Sequence, residues 1–146
     1  MKIREVMSTD VLLATPNQTI SEAAKMMAEH DTGALPVREN DRLVGVITDR
    51  DIAIRAVAQK KSPDAPVREV MSSDKVLYCY EDEDVEQVAQ NMAKNQVRRL
   101  PVLNRDKRLV GIVSIADLSQ RAQPGTAGEA IAGISKPGGA HSQTTH

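Results

Sequence analysis

The chain has 146 residues, room for one domain or for two half-sized units sharing a core, and 40% of them are apolar although only Tyr78 and Tyr80 are aromatic. Lys and Arg number 19 against 20 Asp and Glu, and the resulting formal charge of −1 excludes a global field that would gather nucleic acid or an anionic membrane. Cys79 stands alone, with no second cysteine for a disulfide and no neighbouring His or Cys for zinc; with no apolar signal or membrane-spanning run either, a reducing cytoplasm is the expected compartment.

In chain order, "IREVMSTDVL" (3–12) opens the sequence, and Leu13, Ala14, Thr15 and Pro16 follow as a short extended segment. Thr19 and Glu22 in "TISE" have the spacing of a capping box, so a helix is expected to begin there, with Ile20, Ala23, Ala24 and Met27 forming its apolar stripe. "ALPV" reads as a strand whose Pro36, lacking an N–H, belongs at a strand start or edge. A polar turn, "RENDR", leads into "LVGVI", a strand apolar on both faces as a helix-covered sheet requires, and a second helix follows it. "QKKSPDAP" (59–66) has the composition of a linker.

The series then begins again. "VREVMSSDKVL" (67–77) matches the opening segment, Tyr78, Cys79 and Tyr80 stand where Leu13 to Thr15 stood, and "DVEQ" repeats the helix start with Asp84 and Gln87. Val85, Val88, Ala89 and Met92 repeat the stripe, "RLPV" with Pro101 repeats "ALPV", and "RLVGIVSIAD" repeats "RLVGVITDRD". With one-residue gaps at Lys75 and Lys107, 22 of the 54 positions from Ile3 to Ala56 are identical, which marks an internal duplication. Each unit reads strand, helix, strand, strand, helix. One such unit of about 55 residues buries too little surface to be comfortably stable alone. The expected organisation is repeat 1 over 1–58, a linker over 59–66, repeat 2 over 67–122, and a Gly-rich flexible tail over 123–146 in which "GEAIAGIS" has the composition for a turn or two of helix.

Chemistry concentrates at the ends of the "LVG" strands. Thr48 with Asp51, and Ser114 with Asp117, have the [ST]-x-x-[DE] spacing, which caps helices in proteins of every function. They also sit at the carboxyl end of a buried strand, where α/β sheets open ligand crevices and where a carboxylate suits ribose hydroxyls. Arg50 is a cation in the first turn of a helix, opposed by the macrodipole, so either Asp49 and Asp51 pair with it or an anionic ligand does. Two carboxylates flanking an arginine make a poor metal site. Arg98 and Arg99 replace Gly33 and Ala34 of the first repeat, and form either a solvated surface or a phosphate clamp. His30, His141 and His146 are scattered and do not assemble a base, a nucleophile and an orienting group, so catalysis is not expected.

The duplicated unit and its G-x-x-[TS]-x-x-D endings resemble a tandem pair of CBS domains, a Bateman module, of the small stand-alone bacterial or archaeal type associated with stress and signalling. The resemblance covers residues 1–122. It implies an α/β (α+β) fold of two pseudo-twofold-related CBS repeats packed sheet to sheet, with clefts that bind adenosine compounds such as AMP, ADP, ATP, NAD(H) or S-adenosylmethionine as regulatory ligands and no catalytic cofactor. On the family's pattern Asp51 and Asp117 hold the ribose, Thr48 and Ser114 assist, Leu13–Pro16 and Tyr78–Tyr80 line the adenine, and Arg98 and Arg99 meet phosphates. The second repeat has Ile115 and Ala116 where the first has Asp49 and Arg50, so the two sites are expected to differ. A homodimer and an unidentified protein target are the implied partners, with neither nucleic acid nor membrane. A ligand-independent dimerisation or scaffold role is the alternative, in which the boxes only cap helices.

Overall fold

The computed structural model describes residues 1–121 together with Gly128, Ala132 and Gly133. The remainder of the 123–146 tail, with most of "GEAIAGIS", lies outside the described residues. Helices and strands occur together as an α+β fold requires. In order they are α1 (Ile20–His30), β1 (Ala34–Glu39), β2 (Arg42–Thr48), α2 (Asp49–Asp51, continued by a π-helical stretch Ile52–Val57), β3 (Cys79–Tyr80), α3 (Val85–Asn95), β4 (Arg99–Leu103), β5 (Leu109–Ser114) and α4 (Ile115–Arg121).

These elements form two compact units whose borders are not those of the sequence repeats. One consists of Leu12–Val76; the other joins Met1–Val11 to the chain from Leu77 onward. Each "REVMS" segment thus serves the unit built mainly from the other repeat. In the Leu12–Val76 unit, Val67 and Val70 are fully buried with Ala14, Ile20, Ala23, Met27, Leu35, Val37 and Ile47. In the composite unit, Ile3 and Val6 are fully buried with Cys79, Val85, Val88, Ala89, Met92, Leu100, Val102 and Leu118. Each fully buried aliphatic side chain contributes about 1.5 to 3 kcal/mol, so these imported residues are a substantial part of each core.

The helix stripes pack as their spacing predicts, except that Ala24 is only half-buried. The caps differ in detail. Thr19 Oγ1 accepts from Glu22 N at 3.0 Å at the start of α1. Asp84, expected to cap α3 with its side chain, makes no such bond; Lys2, which bridges opposite it, donates from Nζ to Asp84 Oδ1 at 3.0 Å instead. That ammonium holds the Asp84 carboxyl below its ordinary range. The 59–66 stretch is more than a spacer, because Ala65 O and Pro63 O accept from Ile20 N and Ser21 N at 2.9 and 3.0 Å, satisfying two free donors of α1.

Both hairpins, β1–β2 and β4–β5, are antiparallel and bulged, and the gap residues of the duplication fall in turns. Lys107 has φ of 62° at the β4–β5 turn. The leading strand of each repeat is short. In the composite unit β3 pairs in parallel with β4, Glu81 N donating to Leu103 O at 2.9 Å. In the other unit the strand shrinks to a single bridge, Ala14 to Val37, because Pro16 stands where Glu81 does and has no N–H to donate. Pro36 lies in β1, an edge of its two-stranded sheet, as expected of a residue without an N–H, whereas Pro101 lies inside β4, the central strand of its sheet. Neither breaks a ladder: Pro36 O still accepts from Ala14 N at 3.0 Å, while its nitrogen faces the same side one step before the leading strand begins to pair.

Candidate functional site

Each unit carries one hydroxyl-aspartate box at the end of its hairpin. Strand β2 ends at Thr48, which pairs with Ala34, and Asp49 N donates to Gly33 O at 2.9 Å. Strand β5 ends at Ser114, which pairs with Arg99, and Ile115 N donates to Arg98 O at 3.0 Å. The hairpins therefore set Gly33 and Ala34 beside Thr48 and Asp51, and Arg98 and Arg99 beside Ser114 and Asp117.

Both boxes are closed. Asp51 N donates to Thr48 Oγ1 and Thr48 N to Asp51 Oδ2, each at 3.0 Å. Asp117 N donates to Ser114 Oγ at 3.2 Å, while Ser114 N and Oγ both donate to Asp117 Oδ2 at 2.9 and 3.1 Å. The capping reading is thus realised in full, but it uses one oxygen of each carboxylate. Asp51 Oδ1 lies 3.8 Å from Arg55 Nε, and among the described residues neither Asp51 Oδ1 nor Asp117 Oδ1 takes a hydrogen bond. Capping leaves an acceptor over, so it does not exclude a diol ligand.

Arg50, a cation opposed by the helix dipole, gets no compensation from its neighbours. Among the described residues Arg50 forms no ion pair: Asp49 Oδ1 accepts the backbone N–H of Arg50 at 2.8 Å, and Asp51 turns to its own box and to Arg55. Arg50, Arg98 and Arg99 are all exposed. Asp49 lies over Gly33 so closely that a Cβ there would meet its Oδ2 at 2.9 Å.

Alternation along the leading strands divides the residues expected to line adenine. Ala14 and Cys79 turn their side chains into the two cores and Pro16 is buried, leaving Leu13 and Thr15 in one unit and Tyr78 and Tyr80 in the other as the accessible side chains. Burial pushes the Cys79 thiol up to about 12, reinforced by the nearby Glu83 carboxylate, so it stays protonated; Sγ lies 3.8 Å from Pro101 O. Tyr78 and Tyr80 meet edge to face with centroids 5.5 Å apart. The Arg105 guanidinium stacks 4.0 Å from the Tyr80 centroid and is held by Asp82 through Nε to Oδ2 at 2.9 Å and Nη2 to Oδ1 at 2.8 Å. That pairing keeps the Asp82 carboxyl below its ordinary range.

Sequence reasoning passed over Arg55 and Arg121, which occupy matching positions four residues after the two aspartates. Arg55 Nη1 donates to Met71 O at 3.3 Å and Val70 O at 3.4 Å; Arg121 Nη1 donates to Val6 O at 3.3 Å and Met7 O at 3.4 Å. Each ties the helix behind a box to the imported segment of its unit. The signal was the shared Asp-x-x-x-Arg spacing, which puts both side chains on one helix face.

A family model described as the CBS domain matches residues 3–57 and 67–123, and the chain belongs to the CBS-domain family. It is 42% identical over 134 residues to the CBS domain-containing protein YhcV of Bacillus subtilis, covering 91% of this chain and 94% of that one. Among solved structures it is similar to Hypoxic Response Protein I with two coordinated zinc ions (36% identity, TM-score 0.73, 83% of this chain and 98% of that). It is also similar to the CBS domain pair of protein MJ0100 in complex with 5′-methylthioadenosine and S-adenosyl-L-methionine (35% identity, TM-score 0.69, 82% and 94%). Among the described residues no group of three or more His, Cys, Asp or Glu is placed to hold a metal ion, and no helix is long and apolar enough to cross a membrane.

Proposed function

We propose that this protein is a non-enzymatic sensor that binds an adenosine compound, of the AMP, ADP, ATP, NAD(H) or S-adenosylmethionine class, at the Thr48/Asp51 and Ser114/Asp117 boxes. The ribose diol donates to the second oxygen of Asp51 or Asp117, the oxygen that capping leaves over, and Thr48 and Ser114 hold the carboxylates in place. Leu13 and Thr15, or Tyr78 and Tyr80, flank the base; Arg50, Arg98 and Arg99 are the cations within reach of substituents on the ribose. The observation that carries the reading is the half-used carboxylate at both boxes, together with the adenosine ligands named for the MJ0100 pair. Binding alters the packing of the repeats or of a homodimer, and a protein target reads the change; it does so only to the extent that the ligand prefers one packing over the other.

A melting scan tests this. At about 100 times its dissociation constant, a ligand that binds only the native state adds about 2.7 kcal/mol of stability. For a chain of this size that raises Tm by roughly 5 to 10 °C. Unchanged melting with millimolar AMP, ATP, NADH and S-adenosylmethionine alike would reject the sensor reading in favour of a ligand-independent scaffold.

A further inference from the structure

The composite unit holds the Met1–Val11 segment in the manner of a bound peptide. The segment joins that unit only through Leu12–Val76, the whole of the other unit, yet it completes the core. Ile3 and Val6 are fully buried there in one cluster with Val85, Val88, Val113 and Leu118. Its backbone is paired along its length: Ile3 N donates to Glu83 O and Arg4 N to Glu81 O, each at 3.0 Å, Met1 O accepts from Val85 N at 3.0 Å, and Ser8 exchanges two bonds of 2.9 Å with Ile112. Where an extended peptide adds to a sheet, main-chain bonds of this kind give affinity and the pockets for its side chains give selectivity. Between this seat and the next strand runs a hinge, because Thr9, Asp10 and Val11 form no backbone hydrogen bond among the described residues.

The two seats are alike in backbone and differ in charge. In the other unit Val67 N donates to Gln18 O at 2.8 Å, Arg68 N to Pro16 O at 3.0 Å, and Ser72 exchanges bonds of 2.9 Å with Val46. That seat is rimmed by the uncharged Pro16, Asn17, Gln18 and Thr19, whereas Glu81, Asp82, Glu83 and Asp84 rim the composite one. The segments match their rims: Lys2 stands where the other segment has Pro66, and its Nζ pairs with Asp84 Oδ1 at 3.0 Å. We propose that the composite seat accepts Met1–Val11 from a second copy of the chain, so that two copies exchange this segment and form a dimer. Every contact of the closed chain is kept in the exchanged pair, and only the hinge and the association differ, which is why exchange of an identical element costs little. Each chain's own segment competes at an effective concentration on the order of millimolar, so exchange grows as the protein approaches that concentration. The acidic rim selects the segment that carries Lys2 over the one that carries Pro66.

The test mixes two variants of the full chain, Ser8→Cys and Ile112→Cys, at about millimolar concentration and then oxidises them. Ser8 and Ile112 are a hydrogen-bonded antiparallel pair, and such pairs have Cα atoms about 5.5 Å apart, within disulfide reach. Cys79 stays out of the reaction, since it is buried and its thiol is pushed up to about 12. A chain carrying both substitutions should close the crosslink within itself when dilute, and failure to close it overturns the seat. The mixture should give a covalent dimer, mapped to a link between positions 8 and 112, in severalfold higher yield than Ile112→Cys gives with Ser119→Cys, whose exposed thiol reports collision alone. Ser72→Cys mixed with Ile112→Cys should give no more than that background. A yield at the collision level from Ser8→Cys and Ile112→Cys overturns the exchange and leaves the seat to the chain's own segment, and an equal yield from Ser72→Cys overturns the selection by charge.

Discussion

A chain lacking residues 1–11 is expected to lose the fold of the composite unit while the Leu12–Val76 unit keeps its own. The deletion removes Ile3 and Val6, both fully buried, and the partly buried Met7 that packs beside them. It also removes Ser8, whose N–H and C=O exchange bonds of 2.9 Å with Ile112, and the segment whose N–H groups bond Glu81 O and Glu83 O at 3.0 Å. Single truncation of a buried isoleucine costs about 2 to 5 kcal/mol, and domains of this size have total stabilities of about 5 to 15 kcal/mol. Two core residues and a bridge together reach that range. Amide exchange reads the outcome by element: protection of β4 and β5 should collapse while protection of β1 and β2 persists. Equal protection of both hairpins in the deleted chain would show that the imported segment is not part of that core.

Gly111→Val should be strongly destabilising. A Cβ at position 111 would stand 2.7 Å from Met7 Sδ and 2.8 Å from Ser8 O. The methionine tip can swing away, but Ser8 O is backbone and is already accepting from Ile112 N. Relief therefore requires the imported segment to move off the strand, opening the bridge. Overpacking of this kind costs about 1 to 3 kcal/mol before the bridge is counted, which corresponds to a Tm lowered by roughly 2 to 12 °C. Gly45→Val meets the same obstacle, with Met71 Sδ and Ser72 O each 2.9 Å away, and should behave alike. A Tm within a degree of the unmodified protein in both variants would contradict the close approach. These glycines are needed because a neighbouring backbone lies against them, and their φ angles are not in question.

The duplication made much of this architecture legible. Periodicity located α1 and α3, Thr19 marked the first helix start, and the short apolar runs with polar turns between them marked both hairpins, because all of these are local patterns. The exchange of "REVMS" segments left no such trace: whether Ile3 is buried beside Ile20 or beside Val85 is decided by long-range pairing, and either choice suits the same residues. Pro16 illustrates a signal that was present but unread, since its missing N–H shortens the strand that Glu81 supports in the other unit. Asp84 shows tertiary context displacing a local preference, its carboxylate drawn to Lys2 across the chain instead of to its own helix.

At the site, spacing alone identified both boxes and posed capping against ligand binding as rivals. The geometry removes the rivalry, because one carboxylate has two oxygens and the box uses one. It also answers the question posed by Arg50: neither flanking aspartate pairs with it, since Asp51 is committed to Thr48 and Asp49 to a backbone amide. Arg55 and Arg121 escaped notice because an arginine four residues into a helix is ordinary until the carbonyls it reaches are known.

The ribose assignment is tested most directly by the paired substitution Asp51→Asn and Asp117→Asn in one chain. Asparagine keeps a carbonyl oxygen to accept the Thr48 or Ser114 N–H, so the cap and the melting temperature without ligand should survive. It replaces the other oxygen with an NH₂ group that cannot accept a ribose hydroxyl. Calorimetric titration with S-adenosylmethionine and ATP should then show both binding heats lost from a chain that melts normally. Retention of both at full affinity would contradict the assignment of the diol to these carboxylates.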